Sequence, residues 1–159
     1  MARTVITDAG PLIAFASIDG LSILQKLFSE ITIVGSVKDE CLAKLSVDAQ
    51  RIEDTINNGW LVVTPVVERS PSLSPSLGVG ESDSIRFALE MPEESLLIMD
   101  DRLARRYALR KNLNIVGTVR LLDLAEQQGL IESAEQSIQE MTGFGYRVSN
   151  DILKKIRSE

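Results

Sequence analysis

The sequence predicts an α/β fold: a mostly parallel sheet covered on both faces by helices. Three observations lead there. Short β-rich runs alternate with stretches of helical periodicity along most of the chain, which is the βαβ pattern. Several of those runs end in turn or cap residues that feed straight into a helix, as at Asp8-Ala9-Gly10-Pro11 and at Ser36. With 159 residues, 44% apolar and 25% charged, the chain has the size and balance of one domain with a proper core.

The elements follow in order. Residues 4–7 form a first strand, and the Asp-Ala-Gly-Pro turn opens a helix through Leu12-Ile13-Ala14-Phe15. After Asp19-Gly20, the apolar spacing of Leu21, Leu24, Leu27 and Phe28 predicts a second helix, and Ile31-Thr32-Ile33-Val34 a second strand. Ser36 reads as the N-cap of a third helix, with Asp39 and Glu40 in its first turn. Residues 48–57 are helical, Asn58-Gly59 stops them, and residues 60–65 are a strand. The Pro/Ser-rich residues 69–78 form an exposed loop. Helix 80–91, strand 95–99, helix 101–111, strand 113–116 and helix 118–128 complete the alternation. From about residue 132 the tail is a helical extension of one or two helices, interrupted by Gly143-Phe144-Gly145.

Composition narrows the chemistry. The chain has no histidine, which removes the usual general base, the Ser-His and Cys-His nucleophiles and His-rich zinc sites. Its single cysteine, Cys41, forms no internal disulfide, and no secretory leader precedes the first strand, so a cytoplasmic protein is expected. No apolar run approaches the roughly 18 residues of a membrane span. A net charge of −6 argues against binding nucleic acid by bulk electrostatics, so any such contact is local.

Acids stand where the fold would gather them. Asp8 and Asp100 each follow a strand, and ligands of open α/β sheets bind at strand carboxyl ends. Glu40 lies in a helix and Asp83 near a helix start. Each has an ordinary explanation alone: Asp8 as a turn residue, Glu40 as a helix-dipole partner, Asp100-Asp101 as strand exit and N-cap. Their coincidence in a histidine-free chain points to hard-metal chemistry, for which clustered oxygen ligands suit Mg2+ or Mn2+. Glu81 competes with Asp83, because residues two apart on a helix point about 200° from one another. Glu81 falls in line with Ile85, Ala88 and Leu89, and Asp83 with Arg86 and Glu90, so helical geometry leaves the choice open.

The motifs Val-Ile-Thr-Asp-Ala-Gly-Pro-Leu-Ile-Ala at 5–14, Ser-Val-Lys-Asp-Glu-Cys-Leu at 36–42, Gly-Glu-Ser-Asp-Ser-Ile at 80–85 and Leu-Leu-Ile-Met-Asp-Asp-Arg-Leu-Ala-Arg at 96–105 resemble the PIN-domain nucleases, most of all their VapC-like prokaryotic toxin branch. The likeness continues through Ile115-Val116-Gly117-Thr118 and residues 143–149. It implies a single PIN-like three-layer domain and a ribonuclease using one or two Mg2+ or Mn2+. Asp8, Glu40, Asp83 and Asp100 take the catalytic metal-site roles by that likeness, with Glu81 and Asp101 as further metal ligands. RNA is the implied substrate, an antitoxin protein and a second copy of the chain the implied partners. The sequence departs from the pattern at Val34-Gly35-Ser36, which lacks the usual proline, and at Met99, where many relatives carry a small polar residue.

Helix 101–111 sets Arg102, Arg105, Arg106 and Arg110 within roughly 140° of arc, a basic stripe beside the acids. It is either a solvated face or an RNA contact through Arg102 and Arg105. Ser36, Ser82 and Thr118 suit caps and turns more often than substrate binding, and Cys41, Trp60 and Phe15 suit the core. Two rivals stand beside the nuclease. One is a noncatalytic PIN-fold interaction protein. The other is an aspartyl-phosphate phosphatase or receiver, weakened because Gly10 stands where an Asp-x-Asp phosphatase needs its second acid.

Overall fold

The computed structural model describes residues 3–64 and 73–148. Its elements are β1 (Thr4–Thr7), α1 (Ala9–Ser17), α2 (Leu21–Phe28), β2 (Ile31–Val34), α3 (Gly35–Cys41), α4 (Val47–Asn57), β3 (Leu61–Thr64), α5 (Val79–Leu89), β4 (Ser95–Ile98), α6 (Arg102–Arg110), β5 (Ile115–Val116), α7 (Thr118–Gln127) and α8 (Ala134–Gly143). The five strands form one sheet in the order β3-β2-β1-β4-β5, and every pairing is parallel. The expected α/β architecture, a parallel sheet flanked by helices, is the one observed.

Strand alternation builds the two cores. Successive side chains of a strand point to opposite faces. Val5 and Ile98 join the larger core with Leu12, Phe15, Leu24, Ile52, Leu121 and Ile138, whereas Ile6 and Leu97 pack with Ile85, Ala88, Ala104 and Ala108. Helices α5 and α6 thus cover one face, and α1, α2, α4, α7 and α8 serve the other. Burying each large aliphatic chain contributes roughly 1.5–3 kcal/mol. Trp60 and Phe15 are buried, as expected of core residues. Among the described residues no single helix is long and apolar enough to cross a membrane.

Strand order fixes where a ligand would sit. The chain runs outward from β1 to β3, then crosses back to lay β4 on the other side of β1. The crevice of such a sheet opens at the carboxyl ends of the strands flanking that reversal. There Thr7 is level with Ile98, and the Asp8 amide donates to the Ile98 carbonyl at 3.0 Å. Asp8 and Asp100 therefore leave adjacent strands at the same end.

Some local expectations are corrected. Ser36 is not an N-cap: α3 starts at Gly35, directly off β2, with extended Val34 as its cap. Glu40 consequently falls in the last turn of a seven-residue helix rather than the first. The last strand begins at Ile115 rather than 113, since Leu113 turns into the smaller core. Residues 65–72 of the expected strand end and loop, and any second helix of the tail beyond 148, lie outside the described residues.

Candidate active site

Asp8 sits at the N-cap of α1, yet its side chain makes no capping hydrogen bond. The residue is buried at 7% exposure, and the local bond it keeps is to the Ala9 amide next to it. Burial raises its pKa from 3.8 to about 6; the Ala9 amide opposes the shift, and repulsion from Glu40, Asp100 and Asp101 adds to it. Three other acids are close enough for Asp8 to sense their charge.

Asp100 is held differently. The Thr118 amide donates to its Oδ1 at 2.8 Å and the Thr118 hydroxyl to its Oδ2 at 2.5 Å. Asp101, one residue on, caps α6 by accepting the Ala104 amide at 3.0 Å, as the sequence suggested for this pair. Tyr146, from the segment after α8, packs on the larger core with its hydroxyl beside Thr118 and Asp100; burial, then the Asp100 charge, pushes its ionisation upward.

Two helix ends bring in the remaining acids. Gly80, at the start of α5, is buried where α5 meets α3. A Cβ there would stand 3.1 Å from Val37 Cγ2, 3.5 Å from Glu40 Oε1 and 3.8 Å from Asp8 Oδ1. Absence of a side chain lets the helix approach with Glu40 and Asp8 converging on one spot. Glu40 is exposed and in a last helical turn, where negative charge opposes the helix dipole, so the dipole explanation for it falls away.

The structure separates Glu81 from Asp83. Burial raises the Glu81 pKa from 4.5 to about 7, with repulsion from Asp8 and Asp101 adding to the shift. Its Oε1 accepts the Gly78 amide at 3.2 Å, while its buried Oε2 has no donor. Asp101 is within hydrogen-bonding reach of Glu81, but two carboxylates bond only once a proton or cation comes between them. Asp83 accepts the Ser36 hydroxyl at 2.6 Å and pairs with Arg86 at 3.1 Å, with 3% of its side chain exposed and 14% of Arg86's. The polar face assigned to Asp83 and Arg86 from helical periodicity is therefore largely buried, because α5 is wedged between α3 and the sheet.

The basic stripe is also split. Arg105 turns inward and donates to the Met99 carbonyl at 2.9 Å, whereas Arg102, Arg106 and Arg110 are exposed. Arg105, one of the two arginines the sequence offers for RNA, thus has a backbone partner that periodicity cannot reveal. Sequence reasoning also missed the Thr118 clamp and Tyr146. The Gly117-Thr118 step after a strand was the available signal, since it repeats the strand-to-helix geometry of Asp8. Cys41 is buried, and burial followed by the charges of Glu40 and Asp8 pushes its thiol up to about 12, so it is no nucleophile.

These carboxylates form a hard-oxygen donor set, and Glu81 Oε2 is a buried oxygen lacking a donor, both of which suit a divalent cation. Among the described residues no three of the Asp, Glu or Cys side chains are drawn together at ligating distance, so the donors suit the ion in kind while standing apart. The DUF3368 family model, described as a PIN domain, matches residues 4–159. No curated protein matches the chain.

Proposed function

The chain belongs to the PIN-domain family, whose members are generally nucleases acting on nucleic acids, and from that premise we propose that it is a ribonuclease that hydrolyses RNA phosphodiesters with Mg2+ or Mn2+. The observation that carries this reading is the exit of Asp8 and Asp100 from the adjacent strands β1 and β4 at one end of the sheet, with the charges of Glu40, Asp100 and Asp101 felt at Asp8 and those of Asp8 and Asp101 felt at Glu81.

In this reading Asp8 and Asp100 are the principal ligands, with Glu40 and Glu81 completing the set and Asp101 beside them. Asp83, bound by Ser36 and Arg86, braces α5 against α3 next to these acids. A bound ion would supply Lewis-acid stabilisation of the phosphodiester and an activated water. Asp100 presents oxygens fixed by Thr118, each retaining a lone pair beyond its hydrogen bond. The raised proton affinities of Asp8 and Glu81 belong to the metal-free protein, and both carboxyls would give up their protons as an ion binds. Arg102, exposed at the start of α6, is placed to meet substrate phosphate.

The toxin role, an antitoxin partner and a homodimer are supported by motif likeness alone, a cytoplasmic site of action by the lone Cys41, and a single PIN unit with a helical extension by the family match over residues 4–159. Co-expression with a neighbouring candidate antitoxin tests the first two. The noncatalytic alternative draws support from the separation of the acids in the present arrangement. Cleavage of mixed cellular RNA by purified protein, with Mn2+ or with EDTA and with Asp8→Asn as control, decides between them. Metal-dependent cleavage that the variant lacks supports the nuclease, and intact RNA in every lane supports the interaction protein.

A further inference from the structure

We propose that the Gly117-Thr118 step is the positioning element for Asp100, fixing its carboxylate so that the site binds divalent metal; the metal part of this inference rests on the nuclease reading above. Asp8, by contrast, has no side-chain capping bond.

Two hydrogen bonds and one steric limit carry the inference. Thr118 grips both oxygens of Asp100, from its amide at 2.8 Å and its hydroxyl at 2.5 Å. A carboxylate held at two points cannot rotate about its terminal torsion without breaking one of them. The third is steric. Gly117 has φ −104, which any residue adopts, so conformational freedom does not demand glycine there. Space does: a Cβ would lie 2.8 Å from Arg105 Nη1 and 3.0 Å from Asp100 Oδ1. Arg105 is itself tied to the Met99 carbonyl at 2.9 Å, one residue before Asp100, so its guanidinium is not free to give way without loss. The exit of β4, the first turns of α6 and the start of α7 thus close on one carboxylate.

Groups that orient a metal ligand typically change affinity about 10–100-fold when lost. The test measures Mn2+ affinity by electron paramagnetic resonance for wild type, Thr118→Val, Thr118→Ser and Gly117→Ala. Thr118→Val keeps the shape and removes the hydroxyl, and is expected to weaken Mn2+ binding about 10-fold; Thr118→Ser, which restores the donor, should recover most of it. Gly117→Ala removes no donor and is expected to weaken binding by displacing Asp100, so it carries the test if Thr118→Val fails to fold. Wild-type affinity in both Thr118→Val and Gly117→Ala overturns the proposal. The Thr118 amide signal of metal-free protein is followed by NMR in parallel, and should move in Asp100→Asn. A wild type that binds no Mn2+ overturns the nuclease reading and the metal part of this proposal. The amide then decides the clamp alone: movement in Asp100→Asn upholds it, and an unmoved signal overturns it.

Discussion

Ser36 and Asp83, 47 residues apart in the chain, meet hydroxyl to carboxylate at 2.6 Å across the junction of α3 and α5. The same carboxylate takes the largely buried Arg86 guanidinium at 3.1 Å. Breaking one side of a buried ion pair costs about 3–5 kcal/mol, because the remaining charge is stranded. Asp83→Asn is therefore expected to lower the melting temperature of metal-free protein. Glu81→Gln should do the reverse at pH 8, since it removes a carboxylate repelled by Asp8 and Asp101. Thermal melts of the two variants side by side check the pair, and equal shifts would refute the division of roles.

Metal-free stability should fall as pH rises. The pKa values of Asp8 and Glu81 are raised in the fold, to about 6 and about 7, so the unfolded chain ionises first. The stability these groups contribute is fully present below about pH 4 and is lost by about pH 7. For Asp8 alone a shift of about two units corresponds to roughly 3 kcal/mol. Melts across pH 4–8 should show the decline, and Asp8→Asn should flatten it.

Divalent ions should restore what ionisation removes. An ion that binds the native carboxylates and not the unfolded chain raises stability by mass action. Near pH 8, Mn2+ or Mg2+ is expected to raise the melting temperature, while NaCl of equal ionic strength does not. Identical shifts in the two salts would remove the metal site.

Asp8→Asn and Asp100→Asn should each abolish RNA cleavage in a folded protein, as each change is nearly isosteric and withdraws one anionic oxygen. Gel assays of cleavage alongside circular dichroism check both halves. Full activity in either variant would dismiss that acid as a principal ligand.

Arg102→Ala is expected to slow cleavage more than Arg110→Ala. Arg102 opens α6 beside the acids, and Arg110 ends the helix about 12 Å further on. Loss of a phosphate contact should also flatten the fall in rate with added salt. Arg105→Ala should instead lower the melting temperature, because that side chain satisfies the Met99 carbonyl. Unchanged rates and salt response in Arg102→Ala would leave the arginines as a solvated face.

The sequence alone determined the alternation of strands and helices, the parallel sheet and the location of Asp8 and Asp100 at strand exits. Those features are written in local periodicity and turn chemistry, which act between near neighbours in the chain. Tertiary structure decided the rest. That Glu81 feels the charge of Asp8 and that Asp83 accepts from Ser36 and Arg86 depend on how α5 is wedged between α3 and the sheet, and a helical wheel carries no information about a wedge with buried sides. The pairing of Ser36 with Asp83 and of Thr118 with Asp100 joins residues 47 and 18 positions apart. A hydroxyl's partner at that range is set by how the helices dock, so each residue could be read beforehand only as the cap or turn former that its type most often is.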